Sequence, residues 1–323
     1  MRAILTTLCL LMPLPVMADV AEVVKDHILP GYNRLVAETG ALAELARETC
    51  ETERLAPAFH SAFDAWMGVQ HIHLGPAEDE GRSLAIAFWP DPKGLGRKAQ
   101  LALLTSDPAK LAPAAFADQS VAARGLTGLE RLLWPDEPLP ADPCPLIRAT
   151  ASDLARLATE IHDGWTGGHA DLLLRAGAAG NTAYLSPEEA RQALFTLVVT
   201  GLEHLRDQRL GRPLGTFDRP APEKAEARAS GRSLRNVELS LLALRDMTAA
   251  LSASAPKTLA ALDRAVGLAQ GLNDPALAGV ATPPGRMKVE VLQQAVEAAR
   301  RAAVEELGPA LGVGLGFNAQ DGD

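Results

Sequence analysis

Ser186-Pro187-Glu188-Glu189-Ala190-Arg191-Gln192-Ala193-Leu194-Phe195-Thr196-Leu197-Val198-Val199-Thr200-Gly201-Leu202-Glu203-His204-Leu205 decides the class of fold. Ser186 is an N-cap residue, Pro187 suits the first helical position, and Glu189 completes a capping box. Behind this start, Ala190, Ala193/Leu194, Leu197/Val198, Gly201/Leu202 and Leu205 recur every three or four residues. That spacing makes one apolar stripe on an α-helix, to be buried against other helices.

Helical spacing extends in both directions from this segment. Residues 233–251, 256–272 and 286–307 read as helices on the C-terminal side, and 20–49, 51–73, 120–134 and 151–163 on the N-terminal side. Leu55, Phe59, Phe63 and Trp66 line one face of the 51–73 segment, which Gly75-Pro76 stops. Residues 76–95 are rich in Pro, Gly and Asp and read as a loop, and the proline-rich run 135–145 reads as a linker. No segment shows sustained strand alternation, and aromatics make up only 4% of the chain, which favours helices over sheets. The expected fold class is therefore all-α, two helical bundles packed together, with residues 19–145 forming the first and 146–323 the second.

Thr127-Gly128-Leu129-Glu130-Arg131-Leu132 echoes Thr200-Gly201-Leu202-Glu203-His204-Leu205. Such a match fits an internal duplication, and it also fits coincidence in a chain dominated by Leu and Ala. In either case each copy puts a glycine, a residue that costs helix stability, beside an apolar stripe. Glycine there often marks the close approach of another backbone.

The N-terminus carries a targeting pattern. Arg2 is a short positive region, residues 4–16 are almost continuously apolar, and Val16-Met17-Ala18 is a small-residue cleavage site. The alternative, a membrane anchor, needs roughly 20 apolar residues, and Pro13 and Pro15 interrupt a shorter stretch. Residues 1–18 are thus expected to be a cleavable signal peptide, the location periplasmic, and the mature chain free of a membrane span. The net charge of −9 argues against nucleic acid as a partner, because phosphate binding needs a basic surface. Cys9 falls in the signal segment, which leaves Cys50 and Cys144, an even pair in an oxidising compartment. They are expected to form a disulfide, against the alternative of two separate thiols.

Chemical motifs are sparse. H-E-x-x-H, G-x-S-x-G and a phosphate-binding glycine loop are all absent from the sequence. His71 and His73 flank one Ile and point to different sides of a helix, and two imidazoles do not make a metal site. Phe59, Phe63, Trp66, Gln70 and His73 climb one face, so the apolar line turns polar at its end. This places Gln70 and His73 at core positions. His60, Asp64 and His71 lie on a neighbouring line, expected to be solvated.

Gly125-Leu126-Thr127-Gly128-Leu129-Glu130-Arg131-Leu132-Leu133-Trp134 resembles the G-x-H-x-x-E helix of the imelysin family, the insulin-cleaving membrane peptidase-like proteins. Ala65-Trp66, Gly75-Pro76 and Phe88-Trp89-Pro90 are similar to that family's first half, and Ser230-Gly231-Arg232-Ser233-Leu234-Arg235-Asn236 to its serine-rich later helix start. The end of the chain, Gly316-Phe317-Asn318-Ala319-Gln320-Asp321-Gly322-Asp323, resembles its terminus. The resemblance implies two helical bundles, the cell envelope and a link to bacterial iron acquisition. One departure matters. Thr127 stands where the family has His, and a hydroxyl is a poor zinc or iron ligand beside imidazole.

The reading that follows is a non-catalytic periplasmic binding or accessory protein in iron or haem acquisition, with iron, haem or an envelope protein as its partner. A metallopeptidase and an envelope interaction scaffold are the alternatives. No metal is expected at the Thr127/Glu130 helix. The expected site is a cleft lined by Glu130, Thr127 and His73, with Gln70, Arg82, Glu203, Arg232 and Asn236 around it.

Overall fold

The computed structural model describes residues 19–314. The expected signal peptide and the family-like terminus 316–323 lie outside the described residues. Nine longer helices carry the architecture: α1 (Leu29–Glu48), α2 (Thr52–Met67), α3 (Leu95–Leu104), α4 (Gly125–Leu133), α5 (Cys144–Gly164), α6 (Pro187–His204), α7 (Ser233–Leu251), α8 (Pro256–Gln270) and α9 (Pro283–Ala302). Among the described residues the one extended pairing is an isolated bridge between Thr216 and Arg219. The fold is all-α.

The chain forms two bundles. In the first, α1 packs along α2 and α5, and α4 lies against α2 and α5. In the second, α7, α8 and α9 pack in succession, and α6 lies against α7 and α9. The seam runs between α2 and α7, reinforced where the π turn Val23–Ile28 leads into α1 and meets α7. The division differs from that read at residue 145. Helix α5, which follows the proline-rich run, stays with the first bundle, because Leu146, Ile147, Leu154, Leu157 and Ile161 bury its apolar face there.

Helix α6 starts at the expected N-cap, with the Glu189 carboxylate turned to Leu185 rather than closing the capping box on Ser186. The Ser186 hydroxyl accepts from the Glu189 amide at 3.3 Å, and the Glu189 carboxylate accepts from the Leu185 amide at 2.7 Å. Its stripe is buried from Ala190 to Leu205, with Ala193 half-buried. The echoed glycines both sit at close approaches. A Cβ on Gly128 would come 2.6 Å from the Ala123 carbonyl oxygen, and one on Gly201 would come 2.7 Å from the Leu244 side chain. The Cys50–Cys144 disulfide is formed, with Cα atoms 5.4 Å apart, and ties the start of α2 to the start of α5 within the first bundle.

One local difference reorders the site. The helix expected through residue 73 stops at Met67, and the chain turns at Gly68. Helical spacing therefore ends before Gln70, and the expected facing of the histidines inverts. His71 is buried and His73 is exposed. Upstream, the Arg232 and Arg235 side chains draw Asp64 and His60 into the seam between the bundles rather than leaving them on a solvated face.

Candidate functional site

A cleft of about 730 Å³ opens between the two halves of the chain. The end of α2 and the turn after it contribute Trp66, Gln70, His71 and His73. The following loop contributes Glu78, Ser83, Leu84, Trp89 and Pro90, and the second bundle adds Thr196, Thr200, Gly201, Glu203, His204, Asp207, Arg209 and Glu226. The volume is that of a small-molecule site. Of the residues expected from sequence, His73, Gln70 and Glu203 line this cleft. Glu130 lines a separate, smaller cavity of about 80 Å³ with Arg97, Gln100, Arg131 and Asp136. Glu130 and His73 therefore do not share a cavity, and the cleft expected between them is corrected to one built on α2 and α6.

Three imidazoles line the cleft, His73, His71 and His204. His73 Nδ1 lies 3.1 Å from Glu78 Oε1 at the exposed rim. His71 is buried behind it, with its Nε2 3.0 Å from the Nε2 of His27, so one ring donates and the other accepts. Burial holds both rings neutral: it lowers the His27 pKa to about 4 and that of His71 well below its ordinary value, where the neighbouring His27, His73 and Arg209 groups further disfavour a charge on His71. His71 Nδ1 is buried without a partner. His204, at the end of α6, stands edge-on to Trp89 with ring centroids 6.1 Å apart. Burial and the Arg209 charge lower its pKa to about 3, so it too is neutral.

A buried polar network forms the floor. Arg209 Nε donates to Glu226 Oε2 at 2.6 Å, its Nη1 to the Ser240 hydroxyl at 3.1 Å, and its Nη2 to Gln70 Oε1 at 3.2 Å. Asn236 Nδ2 donates to the same Glu226 oxygen at 2.9 Å, and Arg232 Nε to Asn236 Oδ1 at 3.0 Å. Arg232 continues to Asp64 at 2.7 Å across the seam and lies over the Phe63 ring at 4.5 Å. Burial alone would raise the Glu226 pKa. The Arg209 charge and hydrogen bond, with the Asn236 amide, outweigh it and hold the carboxyl below its usual range. Arg232 and Asn236 thus stand behind the cleft wall rather than in it. Arg82 pairs with Glu160 of α5 at 3.2 Å and donates to the Pro76 carbonyl at 3.2 Å, fastening the loop to the first bundle.

The helix with the family-like motif is closed on itself. Glu130 is buried, and its Oε1 accepts from both the Ser230 amide at 2.9 Å and the Ser230 hydroxyl at 2.7 Å. Burial raises its pKa, against the pull of Ser230. The Thr127 hydroxyl donates to the Phe88 carbonyl at 3.4 Å. These partners make Thr127 and Glu130 a clamp between loops, and the donor set does not suit a metal. Among the described residues no three His, Cys, Asp or Glu side chains converge closely enough to hold one.

Sequence reasoning missed His204, His71, Trp89, Arg209 and Glu226. One signal was present: Leu202, Leu205 and Arg209 follow at three and four residues, so Arg209 lies on the apolar stripe of α6, and a charge there must be buried and paired.

The fold and the family now follow from comparison. A crystal structure of an imelysin-like protein from Psychrobacter arcticum 273-4 superposes with a TM-score of 0.75 at 23% identity, covering 95% of this chain and all of that one. A crystal structure from Parabacteroides distasonis ATCC 8503, of a protein assigned as an iron-regulated protein A precursor, superposes with a TM-score of 0.68 at 13% identity. It covers 88% of this chain and 92% of that one. No curated protein matches the chain. The peptidase M75 family model, described as Imelysin, matches residues 28–303, from the start of the first bundle to the end of α9, and the chain belongs to the imelysin family.

Proposed function

We propose that this protein is a periplasmic binding or accessory protein of bacterial iron or haem acquisition, and that it receives its ligand in the cleft between α2 and α6. The observation that carries the reading is the cleft of about 730 Å³, to which both bundles contribute neutral imidazoles and carboxylates. It works by binding rather than by peptide hydrolysis, because the helix that bears the family motif offers Thr127 in place of His and commits the Glu130 carboxylate to Ser230. The signal-like N-terminus supports the envelope location, and the iron-regulated assignment of the Parabacteroides structure supports the connection to iron.

Thermal unfolding tests this. Thr200 lines the cleft, so Thr200→Trp fills it. Ferric citrate or haemin should raise the melting temperature of the native protein and leave that of Thr200→Trp unchanged, since a ligand stabilises only the state that binds it. An equal rise in both proteins would place binding elsewhere, and no rise with either ligand would end the reading.

A further inference from the structure

His204 is an imidazole without an assignment. It ends α6, where the helix widens into the π turn Leu205–Leu210, and such turns often lie at functional sites. No hydrogen bond among the described residues reaches its ring nitrogens. The ring is neutral, so a lone pair is available without first displacing a proton. Trp66, Leu84, Ala87, Trp89, Pro90 and Leu197 give the same cleft apolar lining, and Trp89 stands beside His204.

The ligand chemistry follows from what the imidazoles are free to do. A bare transition-metal ion needs three or four protein ligands held close together. The other cleft imidazoles are engaged elsewhere, His73 with Glu78 and His71 with His27. A metal that arrives inside a planar macrocycle already has four equatorial nitrogens and needs only one axial imidazole, with flat apolar walls for its faces.

We propose that the cleft binds an iron porphyrin, with the His204 imidazole as the axial ligand to the iron and Trp89 against the macrocycle. This rests on the binding role of the cleft and names its ligand class. The carboxylates of such a ligand turn away from Glu78, Glu203 and Asp207. Arg212 is not a lining residue of the cleft but lies next to one: its guanidinium is 5.9 Å from the centre of the Trp89 ring, it forms no ion pair among the described residues, and its buried Nε has no partner, so it is the cation to receive them.

Haemin titration followed in the Soret band tests the proposal. The native protein should bind one haemin per chain with a shifted band. His204→Ala should weaken haemin binding by about tenfold or more, and added imidazole should restore the native band. Iron-free protoporphyrin, which has no metal to ligate, should bind the native protein and His204→Ala alike. His204→Met, checked for helical content by circular dichroism, should keep haemin with a different band and guards against a loss due only to misfolding. Haemin binding unchanged in His204→Ala, or lost equally for protoporphyrin, would overturn the axial role. If haemin fails to bind while ferric citrate still raises the melting temperature in a Thr200-dependent way, the porphyrin is ruled out and the cleft keeps its binding role.

Discussion

Arg209 Nε and Glu226 Oε2 meet at 2.6 Å with both residues at least 96% buried, as 2% and 4% relative exposure. The pair joins the cleft floor to the seam, through Gln70 on one side and Asn236 and Arg232 on the other. A buried pair of this kind adds little over well-packed apolar residues, but breaking it leaves an uncompensated charge. Arg209→Met should therefore lower the unfolding free energy by about 3–5 kcal/mol. The double variant Arg209→Met/Glu226→Leu should recover a substantial part of that loss in urea unfolding. A loss in the double variant equal to the sum of the losses in Arg209→Met and Glu226→Leu would show that the pair is not coupled.

Glu226 and Glu130 should respond to pH in opposite directions. The folded-state pKa of Glu226 is depressed, so the stability it contributes is present above its ordinary value near 4.5 and is lost as pH falls through the folded value. The folded-state pKa of Glu130 is raised by burial, so its contribution is largest below that ordinary value and is lost as pH rises through the folded one. Glu130→Gln keeps an acceptor for Ser230 and removes the buried charge. It should change stability at pH 7 by less than about 1 kcal/mol and remove that decline with rising pH. Glu226→Gln should destabilise at pH 7. Urea midpoints measured from well below pH 4.5 up to pH 8 separate the two.

The disulfide closes a span with a sequence separation of 94. The protein beginning at Asp19 should show no free thiol when denatured without reductant. Reduction should lower its stability by about 2–4 kcal/mol, read from urea midpoints with and without reductant. Two titratable thiols would contradict the bridge.

Much of the fold was legible because its signals are local. Ser186, Pro187 and Glu189 announce α6 within four residues, and the stripe from Ala190 to Leu205 needs only its own periodicity. The Cys50–Cys144 bridge was legible from the even count once an oxidising compartment was expected. The site was less so, because its contacts join distant positions. The Glu130 partner, Ser230, is 100 residues away, and the Arg209 amide partner, Gln70, is 139 residues away. No local pattern in the sequence reports such pairings. His71 and His73 were inverted for a narrower reason: continuing the helix past Gly68 misplaced every later side chain by part of a turn. Arg232 and Asn236, expected around the cleft, stand behind its wall, in contacts with Asp64 and Glu226 that no local pattern reports.

Growth under iron limitation tests the central claim, that function lies in the cleft between α2 and α6 and not at the Thr127/Glu130 helix. A strain lacking this protein should grow poorly with iron or haem as the limiting supply. The native protein and Glu130→Gln should restore growth, while Thr200→Trp, exported and folded to the same level, should not. Restoration by Thr200→Trp together with failure of Glu130→Gln would contradict that claim.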